Sequence, residues 1–451
     1  MSLQVTGALL CIKKIANVAR TLLRLWRIVQ TGICNEKEGK IVFGKQKLCA
    51  LFCASWLAMG SLAIEHTEGA APRALDGFFK QVRQQNDMGR DKRGEYELLH
   101  QKWAGLAVDE DLRKSHPELA AAIERRTKAD WERVQKNRRE MKKEAEQFRQ
   151  EVPKDYYRSY YQDVDVQMRR ADEYVVSYLE MESTYSGGAH GMYGWHGVNF
   201  NSLSGEEIAL SHVVKDTGKL TELIIKRLEK DYAHAYFEDT ATNVRSYALQ
   251  GKLNWTLDPR GITFYFNPYD IAPYAAGLLT VTILYQEAPQ LFHESYLQVP
   301  QEYAQPFPSD YPLITSLGDN GRRDMLEVSD LGEKLAVVVN GQQTEWDTAL
   351  KDLQPVLIHM KDKKNYLYVD GRTEDGSRQT VVFGIKNGKV QHIGTLPYTF
   401  RHVISVAPAE QEFWRFLTNP NGFRIDRNAT AGNPSKTDIC AVGADGQLTF
   451  G

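Results

Sequence analysis

Residues 173–191 read EYVVSYLEMESTYSGGAHG, and how this stretch is read decides the architecture. Tyr174, Val176 and Tyr178 recur at a period of two among β-branched and aromatic neighbours, so the segment reads as a strand. It stops at Ser186, Gly187 and Gly188, where glycines permit backbone angles and close approaches that other residues resist. The strand texture resumes in WHGVNFNS (195–202), GITFYF (261–266) and GLLTVTILY (277–285), with a helix over residues 220–232 between them. This interleaving implies a mixed α+β domain.

Upstream, a helical region is expected to begin near Leu75. Its clearest piece starts at Ser115, which with Glu118 spells a capping box, Pro117 being tolerated in the first turn. The helix should run to about Val152, ended by Pro153. Leu119, Ile123, Trp131, Val134, Met141, Ala145 and Phe148 recur at spacings of three and four and mark its buried stripe. Residues 125–143 carry a basic excess, but interspersed Glu residues supply i,i+4 partners, which favours a solvated face over a nucleic-acid surface.

Downstream of a proline-rich hinge, QPFPSDYP (305–312), the chain becomes strand and turn throughout. LAVVV, PVLIHM, NYLYVDG, QTVVFGI and KVQHIG are separated by turn signals at Asn340-Gly341, Asp370-Gly371, Asp375-Gly376 and Asn387-Gly388. Residues 355–396 fit one four-stranded blade, whereas the whole C-terminal region is too short to close a usual propeller at about 40 residues per blade. The fold class expected is therefore α+β: a helical and mixed-sheet module followed by a small all-β, hairpin or blade-like, C-terminal domain.

The 451 residues allow two or three domains, and 42% hydrophobic and 25% charged residues with a net charge of -2 give no global bias toward nucleic acid. The expected division is a leader over 1–72, an N-terminal half of the module over 73–186, an α+β domain over 187–300 and a β-rich domain over 307–451. Four of the five cysteines, Cys11, Cys34, Cys49 and Cys53, fall in the leader, which leaves Cys440 alone. A mature fold without the leader would rest on packing rather than on disulfides.

Within the leader, Lys45 and Lys47 precede LCALFCASWLAMGSLA, which ends in the small residues Ser61 and Ala63. This is the order of a signal peptide, so segment 45–63 is expected to export the chain; an uncleaved membrane anchor is the alternative. Lys13, Arg20, Arg24 and Arg27 lie on one face of a basic amphipathic helix in the first 44 residues. That stretch is either a cytoplasmic interaction helix or untranslated sequence ahead of a later start, for example at Val42.

Two constellations carry chemistry. Tyr185, Gly187, Gly188 and His190 occupy the loop after the strand, and His190 there is either a binding group or a hydrogen-bonded turn histidine. With His196 it matches no metal-ligand spacing, so neither metal nor cofactor is expected. The second is FYFNPYDIAPYAAG (264–277), in which Tyr269 and Tyr274 flank Asp270 on a proline-set loop. Tyrosines on a rigid loop suit recognition of sugars or protein; they equally suit plain packing. No catalytic residue is assigned.

STYSGGAHG (183–191), NFNSLSGEEIAL (199–210) and GITFYFNPYDIAPYAAG (261–277), followed by a hydrophobic strand, closely resemble the extracytoplasmic module of RsiV-type anti-sigma factors, found also beside the catalytic domain of PdaC-type peptidoglycan deacetylases. HPEL (116–119) and ADEYVVSY (171–178) resemble its companion N-terminal half. The resemblance spans about Tyr174 to Tyr285 and implies an α+β fold, with a role in sensing through lysozyme binding or in cell-wall modification. No acidic pair with a later HxxxH stands in this chain, so the deacetylase residues are not carried over. Residues 1–44 do not resemble a sigma-binding segment.

These readings lead to an exported, non-enzymatic envelope protein with Tyr185, Gly187, Gly188, His190, Tyr269, Asp270 and Tyr274 as ligand-binding candidates. Its expected partner is peptidoglycan or a lysozyme-like protein, with no nucleic acid, and a membrane only through an uncleaved leader. Two alternatives stand beside it: a cell-wall hydrolase or deacetylase using His190, Asp270 and a tyrosine as acid and base, and a membrane-anchored anti-sigma-type regulator.

Overall fold

The computed structural model describes residues 71–450, apart from 76–78, 86–88, 93, 95, 154–155, 233–237, 319–321, 397–400, 406–410, 415–422, 428–435 and 443–446. The export segment 45–63, the basic helix before it and the four leader cysteines lie outside the described residues.

The strand expected at 173–185 is present and sits inside a large mixed sheet. Strands β1 (Phe79–Gln85), β2 (Gly89–Arg90), β3 (Glu97–Val108), β4 (Tyr160–Ala171), β5 (Val175–Tyr185) and β6 (Met192–Asn201) belong to it, in the spatial order β1-β3-β4-β5-β6 with β2 on β3. Strand Arg401–Ser405 adds to β1 in parallel, and Gln411–Trp414 follows it. β3 and β4 are parallel, Trp103 opposite Val164, and such a pair needs a long crossover. Helices α1 (Glu110–Ser115) and α2 (Pro117–Glu151) supply it.

Helix α2 lies on the sheet by the stripe the sequence marks. Leu119, Ile123, Val134, Met141 and Ala145 are buried, and Trp131 packs against Trp103 at 4.9 Å with 52° between the ring planes. Trp103 Nε1 donates to Asp130 Oδ2 at 2.7 Å, and Thr127 Oγ1 donates to Leu106 O at 2.9 Å. Two basic residues of 125–143 leave the solvated face. Arg126 and Arg133 turn to the sheet, where they meet Glu180 at 2.8 Å and Glu182 at 2.9 Å.

Two expectations for this region fail. The stretch from Leu75 to Val108 is not helical but forms β1, β2 and β3. β1 is too polar to show a period of two and β3 is buried along most of its length without strict alternation, so partners distant in sequence decide both. Ser115 does not cap α2. It ends α1, its hydroxyl donating to Asp111 O at 2.9 Å, while His116 stands at the N-cap of α2, its ring bonded to Ser115 Oγ at 2.9 Å and making no capping bond to the helix. Pro117 does open α2.

After β6 the chain forms α3 (Thr217–Tyr232), as expected, and α4 (Thr240–Leu249), which was not anticipated. They cover a three-stranded sheet of β7 (Trp255–Leu257), β8 (Gly261–Phe266) and β9 (Leu279–Leu284), and Leu220, Ile224, Leu228 and Val244 share one core with Phe264, Val281 and Ile283. This unit is tied to the large sheet by two buried arginines. A register shift between Met168 and Arg170 in the β4–β5 ladder accompanies the burial of two consecutive residues, Arg169 and Arg170.

The C-terminal part is all-β. β10 (Tyr303–Pro306) pairs with β15 (Lys351–His359), so the expected hinge at Gln305 and Pro306 is strand. β11 (Leu313–Thr315), β12 (Asp324–Asp330), β13 (Leu335–Val339) and β14 (Gln342–Trp346) make one meander. β15, β16 (Asn365–Arg372), β17 (Arg378–Lys386) and β18 (Lys389–Leu396) make the second, and β10 brings its sheet to five strands rather than the expected four. The meanders share a core through Val328, Val337, Leu357, Leu367, Val369 and Phe383. Asn340-Gly341 and Asn387-Gly388 are turns with φ of 53° and 81°, and 54° and 73°, as two-residue hairpins require. Asp370-Gly371 is not a turn: both residues pair with Thr380 and Gln379 inside β16.

Candidate functional site

The loop between β5 and β6 and the loop between β8 and β9 meet at the edge of the large sheet. β6 is the edge strand there, and its outward backbone groups are satisfied by side chains from the smaller unit. Asn267 Oδ1 accepts from Trp195 N at 2.8 Å, Asn254 Nδ2 donates to Trp195 O at 2.6 Å, and Asn254 Oδ1 accepts from Gly197 N at 2.8 Å. Two asparagine amides thus stand where another strand would pair, which closes an edge open to association.

This docking assembles an aromatic surface. The His190 ring stacks on Tyr274 at 3.9 Å with 23° between planes, Tyr193 meets Tyr274 edge-on at 5.8 Å, and Tyr269 lies 5.9 Å from Tyr274. Tyr274 hydroxyl and His190 Nδ1 both donate to Gly191 O, at 2.8 and 2.9 Å. His190 is exposed, and Tyr269 is 53% exposed with a left-handed φ of 74°. That backbone conformation is uncommon for a bulky side chain, and local backbone strain of this kind clusters at functional sites.

The remaining candidates shape the loops. Tyr185 is buried, stacks 6.1 Å from Tyr161, and donates from its hydroxyl to Gly188 O at 3.1 Å. Gly187 and Gly188 have φ of 93° and 89°, and a Cβ on Gly187 would lie 2.9 Å from the Tyr160 hydroxyl. Asp270 folds back on its own turn, its Oδ2 accepting from Asn267 N at 2.8 Å. Burial raises the Asp270 pKa from the ordinary carboxylate value, while the bond from Asn267 works against the rise.

Thus the structure brings His190, Tyr269 and Tyr274 together and gives Tyr185, Gly187, Gly188 and Asp270 supporting positions. Tyr193 and Asn267 were missed. Tyr193 stands two residues from Trp195 and hence on the same face of β6, a signal present in the sequence but lost among the glycines around it.

A second feature borders this surface. An open cleft of about 660 Å³ runs between α2 and the sheet, lined by Arg126, Arg133, Glu180, Glu182, Met192 and His196. Arg126 reaches both oxygens of Glu180, at 3.0 and 2.8 Å, and its pKa is raised chiefly by that bond. Because both guanidiniums are already held by carboxylates, the cleft is a clasp between helix and sheet rather than an anion site. His196 stands opposite Glu180 in the β5–β6 register, and desolvation lowers its pKa.

Comparison with known proteins bears on the same elements. Residues 111–193 match the family model described as deacetylase PdaC, and residues 213–286 match that described as a protein of unknown function, DUF3298. Among solved structures, a DUF3298-family protein of Bacteroides fragilis is 19% identical, with 48% of this chain and 93% of that chain covered at a TM-score of 0.34. A DUF3298-family protein of Pseudomonas aeruginosa PAO1 is 14% identical, with 49% and 97% covered at a TM-score of 0.33. No curated protein matches the chain. Within residues 111–286 the chain thus matches the PdaC model and then the DUF3298 model, in the region whose motifs resemble the RsiV- and PdaC-type module.

Proposed function

We propose that this protein is an exported, non-enzymatic component of the cell envelope that binds cell-wall glycan through the surface formed by His190, Tyr193, Tyr269 and Tyr274. The PdaC-like domain supports an extracytoplasmic place of work. The observation that carries the binding reading is the exposure of Tyr269 on a left-handed backbone, beside a His190–Tyr274 stack. Plain packing accounts for a buried tyrosine and leaves an exposed, strained one unexplained. A tyrosine ring offers an apolar face to a sugar ring and a hydroxyl to its substituents, with little side-chain entropy to lose.

Acid–base catalysis by His190 and Asp270 gains no support from this geometry. Proton transfer needs the groups within about 3 Å of one another or of a shared water. Here the His190 ring bonds Gly191 O and the Asp270 carboxylate bonds Asn267 N.

The test is calorimetric titration of the purified protein with soluble peptidoglycan fragments, and with lysozyme in a parallel run. Saturable binding of the fragments is expected, weakened roughly three- to tenfold by Tyr269→Ala or Tyr274→Ala, the range for loss of one aromatic contact. Binding of lysozyme alone would move the partner from glycan to protein, and binding of neither would sink the reading. N-terminal sequencing of the protein from the envelope fraction tests export, cleavage near Ala63 being the expected result.

A further inference from the structure

We propose that the face of the large sheet turned away from α2 holds a site for a small organic ammonium compound, a primary amine on an apolar body. On β4, Val164 and Val166 pack into the clusters formed with α2, so the alternate residues Asp163, Asp165 and Gln167 face the other way. β4 lies between β3 and β5, in the interior of the sheet, where side chains under a second layer are ordinarily apolar. Asp165 is held there by Gln81 Nε2 at 2.6 Å and by Val166 N at 2.9 Å, whereas Asp163 and Gln167 each keep one oxygen that no described residue bonds.

Space lies over them. An inner cavity of about 220 Å³, whose lining includes Leu106, Met181, Pro306, Phe307 and Leu353, adjoins an outer cleft of about 630 Å³ bordered by Tyr193 and Trp195. The two share Asp165, Met181 and Gln354. By volume the inner part matches about seven waters at ~30 Å³ each, room for a short alkyl body.

The chemistry of the occupant follows from what the lining lacks. Asp163 Oδ1 on the outer cleft, Gln167 Oε1 on the inner cavity and Gln354 Oε1 on both are buried atoms with no hydrogen-bond partner among the described residues. All three are acceptors, and a buried acceptor without a donor is costly. Three cations line the outer cleft: Lys102 Nζ stays 3.8 Å from the other oxygen of Asp163, Arg372 pairs with Asp352 at 3.5 Å, and Arg378 stands beside them, yet none bonds the three orphaned oxygens. An ammonium group has three donors and no acceptor, and the Asp163 carboxylate favours a cation over a neutral donor. An anion set against these three oxygens would only add another acceptor beside them. This site is independent of the glycan reading and shares only Tyr193 with that surface.

The experiment is isothermal titration calorimetry of the full-length protein with three probes of one shape: n-hexylamine hydrochloride, 1-hexanol and sodium hexanoate. Hexylamine should bind saturably at one site, hexanol at least about tenfold more weakly, and hexanoate not at all, the gap being that of a charge-assisted hydrogen bond. Asp163→Asn should weaken hexylamine by a similar factor and leave hexanol unchanged. Should that variant fail to fold, as read by its melting curve, Gln354→Met on the opposite wall gives the same comparison through loss of one acceptor. Absence of saturable hexylamine binding, hexanol binding as tightly as hexylamine, or folded variants that bind hexylamine like the parent would each overturn the proposal.

Discussion

Arg169 and Asp258, far apart in sequence, meet in the interior with Nε 2.8 Å from Oδ1 and only 6% and 2% of their side chains exposed. Burial works against the charge on Arg169, yet Asp258 outweighs it, and the guanidinium pKa is raised. Arg169 also donates to Pro306 O at 3.2 Å, and the other Asp258 oxygen accepts from Thr263. One ion pair thus ties the large sheet, the unit built on β7–β9 and the start of the C-terminal region.

Removing one partner leaves the other charged and buried. Asp258→Ala should therefore destabilise the protein by roughly 3–5 kcal/mol, the cost of an orphaned buried charge. Urea unfolding followed by circular dichroism measures it. A loss below about 1 kcal/mol, the range of surface pairs, would mean that water reaches Arg169.

Tyr269 offers the opposite sign. Its left-handed φ of 74° costs about 1–2 kcal/mol for an ordinary side chain, and asparagine visits that region more readily. Tyr269→Asn should raise the melting temperature while weakening glycan binding. Opposite movements of stability and affinity are the signature sought, and a fall in both would show that the ring packs in the native state.

The Asp270 carboxyl has a raised pKa because it is partly buried, the Asn267 N–H offsetting some of the rise. The folded state therefore holds the proton more tightly than the unfolded state does. Stability should fall as pH climbs from the unfolded value near 3.9 through the raised folded one, and stay reduced above it. Asp270→Asn, which keeps an oxygen for the Asn267 N–H, removes this term. Melting temperatures across pH 3.5–7 should converge at the acid end and favour the variant at neutral pH, whereas a constant gap would assign the effect to something other than titration.

Gly197 sits where β6 crosses closest to β7, and a Cβ there would collide with the backbone of Trp255. Since backbone cannot swing aside like a side chain, Gly197→Ala should destabilise by roughly 1–3 kcal/mol or more. It should also disturb the aromatic surface, because Gly197 N and Trp195 N are held by the two asparagines of the same junction. Near-ultraviolet circular dichroism reads the second effect; an unchanged spectrum with full stability would contradict the close approach.

Much was written locally. The strand signalled by Tyr174, Val176 and Tyr178, the stripe from Leu119 to Ala145, and the hairpin turns at Asn340-Gly341 and Asn387-Gly388 follow from backbone geometry, which acts between near neighbours and so can be read from near neighbours. The motif residues His190 and Tyr274 were visible as candidates for the same reason. Other features rest on partners that local pattern does not name. The polar strand Phe79–Gln85 exists because β3 and Arg401–Ser405 flank it, and Ser115 with Glu118 spells a cap that the abutting α1 and α2 do not use. Adjacent arginines at 169 and 170 read as surface until their carboxylates are in place, and the stack of His190 on Tyr274 arises only when two separate loops dock. Periodicity and turn chemistry fix each segment, but whether a charge is buried, an edge is closed or a ring is exposed depends on what the rest of the chain lays against it.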